Sequence, residues 1–464
     1  MTGKQQEQAP GPEEYKAVTA LVIPESEHPI REQQLDREAL KVLYRLRDAG
    51  FKGYLVGGGV RDLYLGRAPK DFDISTDARP GQLRQLFRNS RTIGRRFRLV
   101  QVFFRGTKII EVSTLRSRSE FDINGKEQVL PSNNTFGTLE EDAFRRDLTI
   151  NALFYEIETH TIIDYIGGVR DLDRGVIRMV GDPDRRFTRD PVRMLRVVRH
   201  AARTGFGIEE ETFAALRQHN EELRLCPPSR IRDEVLKDLQ SGASRAWAEL
   251  CMRTGLWPAL FPFYDEYMQG EQGEKIQKEL LNIFTVLDRL HARQEEAEPV
   301  KVPETLLFAA LLLPWACLRF KLPETNVRGQ GFSHLSRIIR EDVDRAFGEP
   351  FNVQRMAKES LTTLLVNLST FYHARSQGDD PNWLKKKSYY GDCSRFFDIY
   401  QESQGVPAVK VERFVVPHKD TGTVEVVTPA QESNGESRAR GRGGVNPAFS
   451  STKTGVFGLR RPRD

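Results

Sequence analysis

Asp71 and Asp73 are the strongest candidates for chemistry in the sequence, because two carboxylates are separated there by a single residue. On a strand, residues i and i+2 point to the same face, so both carboxylates would project together. Carboxylate oxygens are ligands that hard divalent cations such as Mg²⁺ prefer. Two such ions can activate an attacking hydroxyl and neutralise a leaving pyrophosphate. We therefore expect Asp71 and Asp73 to bind two Mg²⁺ ions.

An Asp-x-Asp pair alone is weak evidence, since the sequence repeats the pattern at Asp171 and Asp173 and at Asp182 and Asp184. Asp182 and Asp184 fall in a predicted turn, where aspartate is common for backbone reasons. These two pairs are interpreted as structural. What distinguishes the first pair is the sequence that precedes it.

The residues before Asp71 have the composition of a phosphate-binding loop. The apolar segment 54–56 leads into Gly57 and Gly58, and Arg61 lies in the helix that follows. Glycines between a strand and a helix let backbone N–H groups approach phosphate oxygens, and Arg61 can add a bidentate ion pair. We expect all three to bind a triphosphate. The string Gly-Gly-Val-Arg-Asp-Leu recurs at 167–172 without a following Asp-x-Asp strand, so this copy is interpreted as structural or accidental.

Asp190 and Arg193 are candidates for reading a nucleotide base. At positions i and i+3 of a helix they share a face. A carboxylate only accepts hydrogen bonds and a guanidinium only donates them, which suits the amine and the ring nitrogen of adenine or cytosine. Guanine and uracil have the opposite polarity and would leave buried groups unpaired. The pair predicts ATP or CTP; the alternative is an N-cap aspartate beside a helical arginine.

Four segments together resemble a known family. They are 56–62 (VGGGVRD), 70–76 (KDFDIST), 141–153 (EDAFRRDLTINAL) and 190–196 (DPVRMLR). In this order and spacing they resemble the class II nucleotidyltransferases, which comprise bacterial poly(A) polymerases and tRNA CCA-adding enzymes within the DNA polymerase β-like superfamily. The resemblance is dense over about residues 36–240. It implies an ATP- and Mg²⁺-dependent transferase acting on RNA 3′ ends.

The resemblance also implies roles for residues in the later motifs. Asp147 corresponds to the family's third catalytic aspartate, and the alternative is a helical salt bridge to Arg145 or Arg146. Glu111, in the predicted strand 109–112, could instead complete the metal site or face solvent at a sheet edge. Arg146 and Arg196 are expected to bind the nucleotide. One departure concerns Arg189, because family members usually carry an acid at this position.

Poly(A) addition and CCA addition would use the same nucleotide-binding residues, so other segments must distinguish the two activities. Residues 93–99, the triple glycine 57–59 and residues 136–142 resemble the poly(A) polymerases. A basic cluster and an Arg/Gly-rich tail would bind RNA without reading its sequence; the expected RNA-binding residues are Arg95, Arg96, Arg98, Arg438, Arg440 and Arg442. The predicted function is template-independent polyadenylation of RNA 3′ ends, linked to mRNA processing and decay. The alternatives are a CCA- or A-adding tRNA enzyme and a catalytically idle RNA-binding protein.

Bulk properties agree with a multidomain protein of the reducing cytoplasm. The 464 residues carry a net charge of only +5, so RNA must be met by local basic patches. The four cysteines form no Cys-x-x-Cys pair, and the polar N-terminus has no signal-peptide pattern. The fold class implied is an α+β nucleotidyltransferase head with a small mixed sheet, an all-α region and a disordered basic tail. The expected parts are a flexible leader (1–34), a catalytic domain (35–177), a helical neck (178–240), a helical body that binds RNA (241–415) and the tail (416–464).

Local signals predict the elements of the head. A helix is expected from the N-cap Asp36 to Gly50, another from Pro80, and a third from the capping box Thr138–Glu141 through Asp147. Strands are expected at 54–56, 71–74, 98–104, 109–112, 153–155 and 162–163.

Overall fold

A computed structural model describes residues 18–94, 98–105, 108–117, 136–292, 300–348 and 351–415. Its head is built on an eight-stranded mixed sheet in the order β1-β8-β7-β2-β3-β6-β5-β4. The strands are β1 (Leu21–Ile23), β2 (Gly53–Val56), β3 (Asp73–Thr76), β4 (Ser90–Ile93), β5 (Leu99–Phe103), β6 (Ile109–Thr114), β7 (Leu153–Glu156) and β8 (Thr161–Asp164). The β3–β6 pair is parallel and every other neighbouring pair of this sheet is antiparallel.

Short helices accompany the sheet and confirm most of the predicted elements. They are α1 (Arg37–Asp48), α2 (Gly58–Tyr64), α3 (Pro80–Leu86), α4 (Leu139–Arg145) and α5 (Gly168–Arg174). Asp36 caps α1 by accepting from two backbone N–H groups, and Thr138 and Glu141 form the predicted capping box of α4. The apolar face of α1 packs on one side of the sheet, where Leu55, Ile74 and Val112 are fully buried. The opposite side is open around Asp73, and this is where the candidate site lies.

Three predictions about the head are wrong in detail. The leader was predicted to be flexible over residues 1–34, but its second half is part of the head, because β1 pairs with β8 and Ile30 is fully buried. The strand predicted at 71–74 begins only at Asp73, so Asp71 precedes the ladder. The helix predicted through Asp147 ends at Arg145, since Arg146 adopts an extended backbone conformation.

The remainder of the described chain is predominantly helical, as predicted. Two residues, Gly207–Ile208 (β10), pair in parallel with Val176–Ile177 (β9). The helices are α6 (Pro183–Arg189), α7 (Val192–Thr204), α8 (Glu210–His219), α9 (Pro228–Leu239), α10 (Ser244–Thr254), α11 (Leu256–Leu260), α12 (Gly270–Ala292), α13 (Glu304–Phe320), α14 (Gln330–Phe347), α15 (Arg355–Ser376), α16 (Asn382–Lys385) and α17 (Tyr390–Ser403).

Helix α13 contains the most apolar stretch of the chain and forms the centre of this region. Leu306 to Leu313 are buried side by side, and the Tyr264 hydroxyl donates to the Leu311 carbonyl oxygen at 2.7 Å. The sequence-based prediction of a buried helix here is confirmed. Within the described ranges, no helix combines the length and the hydropathy that crossing a membrane requires.

Candidate active site

The centre of the candidate site is a pair of carboxylates on adjacent parallel strands. Asp73 at the start of β3 is the register partner of Glu111 in β6. Their sequence neighbours Ile74, Ile110 and Val112 point into the core and are fully buried, so Asp73 and Glu111 leave the sheet on its open face. The sequence left Glu111 and Asp147 as alternatives for the third carboxylate. The strand register places Glu111 beside Asp73.

Asp71 adds a third negative charge close to this pair. It lies two residues before Asp73 and outside the ladder, and the ring between them, Phe72, is buried while both carboxylates keep access to solvent. Crowding by the surrounding protein, together with the charges of Glu111 and Asp71, raises the pKa of Asp73 to about 6. A raised pKa of this origin means that a bound cation would relieve repulsion between the carboxylates.

The donor set fits a divalent cation in its chemistry, because all three side chains offer carboxylate oxygens. No three His, Cys, Asp or Glu side chains among the described residues already surround a common point. The strand register already brings Asp73 and Glu111 together, and Gln101 orients Glu111. The Gln101 Nε2 atom, on the neighbouring strand β5, donates to Glu111 Oε1 at 2.9 Å.

The loop at Gly57 has the backbone that only glycine adopts readily. Its φ of 68° and ψ of −133° lie outside the regions open to other residues. A Cβ atom built at Gly57 would come within 3.4 Å of the Arg146 guanidinium. The Gly57 loop therefore lies next to the positive charge of Arg146. Such a charge beside the loop would favour the binding of phosphate.

Arg146 connects this loop to the carboxylates. Its guanidinium donates to Asp142 Oδ2 at 3.0 Å and lies 3.4 Å from the Ser75 hydroxyl, one step along the open face from Asp73. It also packs over the ring of Phe154, at 5.1 Å from the ring centroid. The positive charge of Arg146 lowers the pKa of Asp73, against the effects that raise it. The structure thus brings Gly57, Arg146 and Asp73 together.

Arg61, which the sequence predicted to hold phosphate, is buried under the loop with its guanidinium already engaged. Only 4% of the residue is exposed. It ion-pairs with Asp62 at 2.8 Å, donates to Asn151 Oδ1 at 2.7 Å and lies 3.2 Å from His200 Nδ1. A Cβ atom built at Gly58 would touch the Arg61 guanidinium at 3.4 Å. Arg61 therefore supports the glycine loop from below and joins it to helix α7.

Asp147 binds the same helix, α7. Its carboxylate forms close ion pairs with Arg193 and Arg196 of α7. Burial alone would raise the pKa of Asp147, but these two guanidinium groups outweigh it and hold the pKa below the usual value. The salt bridge that the sequence offered as the alternative was to Arg145 or Arg146; the structure instead pairs Asp147 with Arg193 and Arg196 of the neck.

Asp190 and Arg193 are close to each other, but they do not share one helix as predicted, because Asp190 lies between α6 and α7 and Arg193 lies in α7. Arg193 Nε lies 3.8 Å from Asp190 Oδ2, and both side chains remain partly accessible. Asp190 is also paired with Arg230 at 3.0 Å. Arg196 continues the network toward Glu234 of α9 at 3.8 Å. A base that bound to Asp190 and Arg193 would therefore enter an existing charge network between α7 and α9.

Among the predicted RNA-binding residues, Arg98 is described and exposed, just before β5. Arg95, Arg96, Arg438, Arg440 and Arg442 lie outside the described residues.

Sequence reasoning missed three residues that the fold brings to the site, namely Gln101, Asn151 and His200. Asn151 and His200 bind Arg61 from two different segments, and the side-chain amide of Asn151 lies 3.3 Å from His200 Nε2. Burial and the neighbouring arginines hold the pKa of His200 well below its usual value. For Asn151 a signal existed, because the residue lies in the same motif, 141–153, as Asp147.

The second glycine string is structural. Asp171 is fully buried and accepts from the Thr149 hydroxyl at 2.7 Å and from Arg178 Nε at 3.0 Å. A Cβ atom at Gly168 would collide with the Thr149 carbonyl oxygen at 2.3 Å. The copy at 167–172 thus braces the segment that carries Asn151.

Comparison with known proteins agrees with this architecture. Residues 53–178 match the family model described as "Poly A polymerase head domain", and residues 205–268 match "Probable RNA and SrmB- binding site of polymerase A". The chain is 42% identical to Poly(A) polymerase I of Escherichia coli over 298 residues, which are 62% of this chain and 63% of that protein. It is 41% identical to the CCA-adding enzyme of Lactobacillus helveticus over 201 residues, 43% of this chain and 49% of that protein.

A solved structure shares the fold. The crystal structure of a tRNA nucleotidyltransferase complexed with a primer tRNA and an incoming ATP analog superposes with a TM-score of 0.53 at 22% identity, covering 78% of this chain and 94% of that one. The aligned region spans less than two thirds of the length of the Escherichia coli relative. The matched head region holds the carboxylate pair and the glycine loop, and the chain is similar to bacterial poly(A) polymerases and to CCA-adding enzymes.

Proposed function

We propose that this protein adds adenylate residues to RNA 3′ ends without a template, transferring AMP from ATP to the 3′-hydroxyl and releasing pyrophosphate. The observation that carries the proposal is the Asp73–Glu111 pair beside the Gly57 loop, in a chain 42% identical to a Poly(A) polymerase I over 298 residues. Polyadenylation of this kind would serve mRNA processing and decay.

Within this proposal, Asp73 and Glu111, together with Asp71, are the residues that would hold Mg²⁺. The ions would supply charge that lowers the pKa of the RNA 3′-hydroxyl and stabilises the triphosphate. Asp73 and Glu111 fix one face of the reacting centre, and Gln101 keeps Glu111 in position through its 2.9 Å hydrogen bond. Most of the rate would come from positioning and charge stabilisation rather than from covalent chemistry with the protein.

The phosphates of ATP would bind between the Gly57–Gly58 backbone and the Arg146 guanidinium. Arg146 is close to both the loop and the open face of β3. We assign Arg61 and Asp147 to positioning rather than to direct contact, because their charged groups are bound to Asn151 and to α7 respectively. Arg196, which pairs with Asp147 and Glu234, acts in the same way.

Asp190 and Arg193 remain our candidates for reading the base. Their hydrogen-bonding polarity suits adenine, with Asp190 accepting from the exocyclic amine and Arg193 donating to N1. Their partial exposure and mutual distance of 3.8 Å support this assignment. Binding would require Arg193 to share its charge between Asp147 and the base.

RNA would be held by the parts that follow the head. We propose the division predicted from the sequence, with a catalytic domain up to residue 177, a neck to 240, a helical RNA-binding body to 415 and a basic tail from 416. Arg98 and the tail arginines Arg438, Arg440 and Arg442, with Arg95 and Arg96, would contact phosphates without reading sequence. The reducing cytoplasm suits this protein, because Cys226, Cys251, Cys317 and Cys393 are free thiols.

The experiment compares two substrates. Purified protein receives Mg²⁺ and ATP with a generic RNA, and separately CTP plus ATP with a tRNA that lacks its 3′ CCA. We expect long adenosine ladders on the generic RNA. A single CCA added to the tRNA with no ladder on the generic RNA would replace this proposal with CCA addition, which the 41% identity to a CCA-adding enzyme keeps as the second candidate. If neither RNA is extended, the protein is an RNA-binding protein on this fold.

A further inference from the structure

A cavity lined by arginine side chains lies on the head, at the other end of the strands that carry Asp73 and Glu111. Its volume is about 440 Å³, within the size range of sites that bind small ligands. We name it the arginine pocket, and its principal side chains are Arg79, Gln82, Gln85, Arg98, Arg116 and Phe136.

The chemistry of the arginine pocket selects for a nucleotide. Three guanidinium groups line it, and within the described part of the chain no carboxylate does. Phe136 is 43% exposed although it is a large apolar ring, and the Arg79 guanidinium lies 5.1 Å from the centroid of that ring. Arginine pairs with phosphate and an exposed aromatic face stacks on a base. The two amides, Gln82 and Gln85, can satisfy polar groups at the base edge.

The electrostatics of Arg116 agree with an anionic occupant. Burial, aided by the charge of Arg145, lowers the pKa of Arg116, and Asp142 counteracts this only in part. A phosphate in the pocket would offset the repulsion between these cations.

The position of the pocket favours a polymer over a free nucleotide. Thr114, which lines the pocket, lies three residues beyond Glu111 on the same strand, roughly 10 Å at the rise of a β-strand. A free nucleotide in the pocket would be too far from Asp73 to react. Because side chains alternate along β6, Thr114 faces the opposite side of the sheet from Glu111. An RNA strand that passes over this end of the sheet would reach both places, with its 3′ end at the carboxylates and an earlier nucleotide at Phe136.

We propose that the arginine pocket is a subsite for single-stranded RNA, in which Phe136 stacks on a base while Arg79, Arg98 and Arg116 bind the adjoining phosphate. This inference rests on the proposed function for the direction of the RNA strand. It assigns a binding role to Arg79, Arg116 and Phe136 that the catalytic geometry does not use.

The test measures binding of a fluorescently labelled, unstructured oligoadenylate to the full-length protein by anisotropy. The variants are Arg79→Gln, Phe136→Leu and their combination; both side chains are exposed, so the fold should persist, which a melting curve verifies. Arg84→Gln is the matched control, because Arg84 is an exposed cation on helix α3, which begins directly after Arg79, but does not line the pocket.

We expect the combined variant to bind oligoadenylate about tenfold more weakly, given the usual energy of base–aromatic stacking. We also expect its salt dependence, log K against log salt, to be shallower by about 0.7, because residue 79 would no longer neutralise a phosphate. Arg84→Gln should retain wild-type affinity within about twofold, since an isolated surface charge contributes little.

Two results would overturn the RNA subsite. One is equal affinity of the combined variant and Arg84→Gln for oligoadenylate. The other is displacement of the oligoadenylate by AMP at the same concentration as by unlabelled RNA, which would make the pocket a mononucleotide site. Binding is read without catalysis, so loss of the proposed polymerase activity leaves this result intact. Normal AMP incorporation combined with unchanged binding would remove the subsite alone.

Discussion

Asp73 and Glu111 are register partners in the parallel pair β3–β6, and their carboxylates share the open face of the sheet. Asp147 instead gives its carboxylate to Arg193 and Arg196. We therefore expect Glu111→Gln to reduce AMP incorporation by roughly 100-fold or more without changing the melting temperature, because a metal-site carboxylate contributes several kcal/mol to the transition state.

Asp147→Asn, unlike Glu111→Gln, should lower the free energy of unfolding, measured by urea titration. Removing this carboxylate leaves Arg193 and Arg196 with only their longer contacts to Asp190 and Glu234, and costs about 2 kcal/mol because the ion pairs are partly buried. Equal stability of Asp147→Asn and wild type, with activity lost, would return Asp147 to the metal site.

Arg61 offers a test of positioning against phosphate binding. Arg61→Gln breaks the buried contacts with Asp62 and Asn151, and we expect the free energy of unfolding to fall by about 3 kcal/mol. The exposed Arg67→Gln is the control, with an expected change near zero. A raised KM for ATP in Arg61→Gln at unchanged stability would show that Arg61 binds the triphosphate directly.

The repeated glycine string gives a matched pair of substitutions. Gly168 and Gly59 occupy the same place in the two copies, but a Cβ atom would meet backbone at 2.3 Å at Gly168 and only at 3.5 Å at Gly59. We expect Gly168→Ala to lower the free energy of unfolding by about 1–3 kcal/mol through overpacking. Gly59→Ala should be neutral or slightly stabilising within its helix. Similar effects of both substitutions in denaturant titrations would refute the assigned close approach.

Two histidines predict opposite dependences of stability on pH. Burial, then the charges of Arg61 and Arg199, hold the pKa of His200 well below 6.5. Below pH 6.5 the unfolded chain binds a proton at this site that the folded chain excludes, so stability falls on acidification, by at most about 1.4 kcal/mol per pH unit. His200→Gln should therefore lose less stability than wild type between pH 7.5 and 5.5.

His219 serves as the control of opposite sign. Burial opposes its charge, but the carboxylates of Glu222 and Asp184, at 2.8 and 2.9 Å, outweigh burial and raise its pKa. Its contribution is full below the unfolded pKa and disappears as pH rises through the folded one. His219→Gln should make the acid loss steeper than in wild type. Parallel curves for both variants and wild type would contradict these assignments.

The elements that could be predicted from the sequence are those that local signals determine. Helix α1 follows from the N-cap Asp36, and α4 from its capping box, because both depend on contacts within a few residues. The Asp73–Glu111 register could not be derived in this way, since it depends on pairing between strands far apart in the chain. Arg61 looked like a phosphate ligand for the same reason, because its partners Asn151 and His200 come from distant segments.

The most direct test of the central claim is the initial rate of Mg²⁺-dependent AMP incorporation into a generic RNA by the wild-type protein and by Asp73→Ala. We predict adenosine ladders with wild type and no detectable incorporation with Asp73→Ala, while melting temperature and oligoadenylate affinity stay the same. Incorporation by Asp73→Ala at a rate comparable to wild type would contradict the claim that AMP transfer occurs at this carboxylate pair.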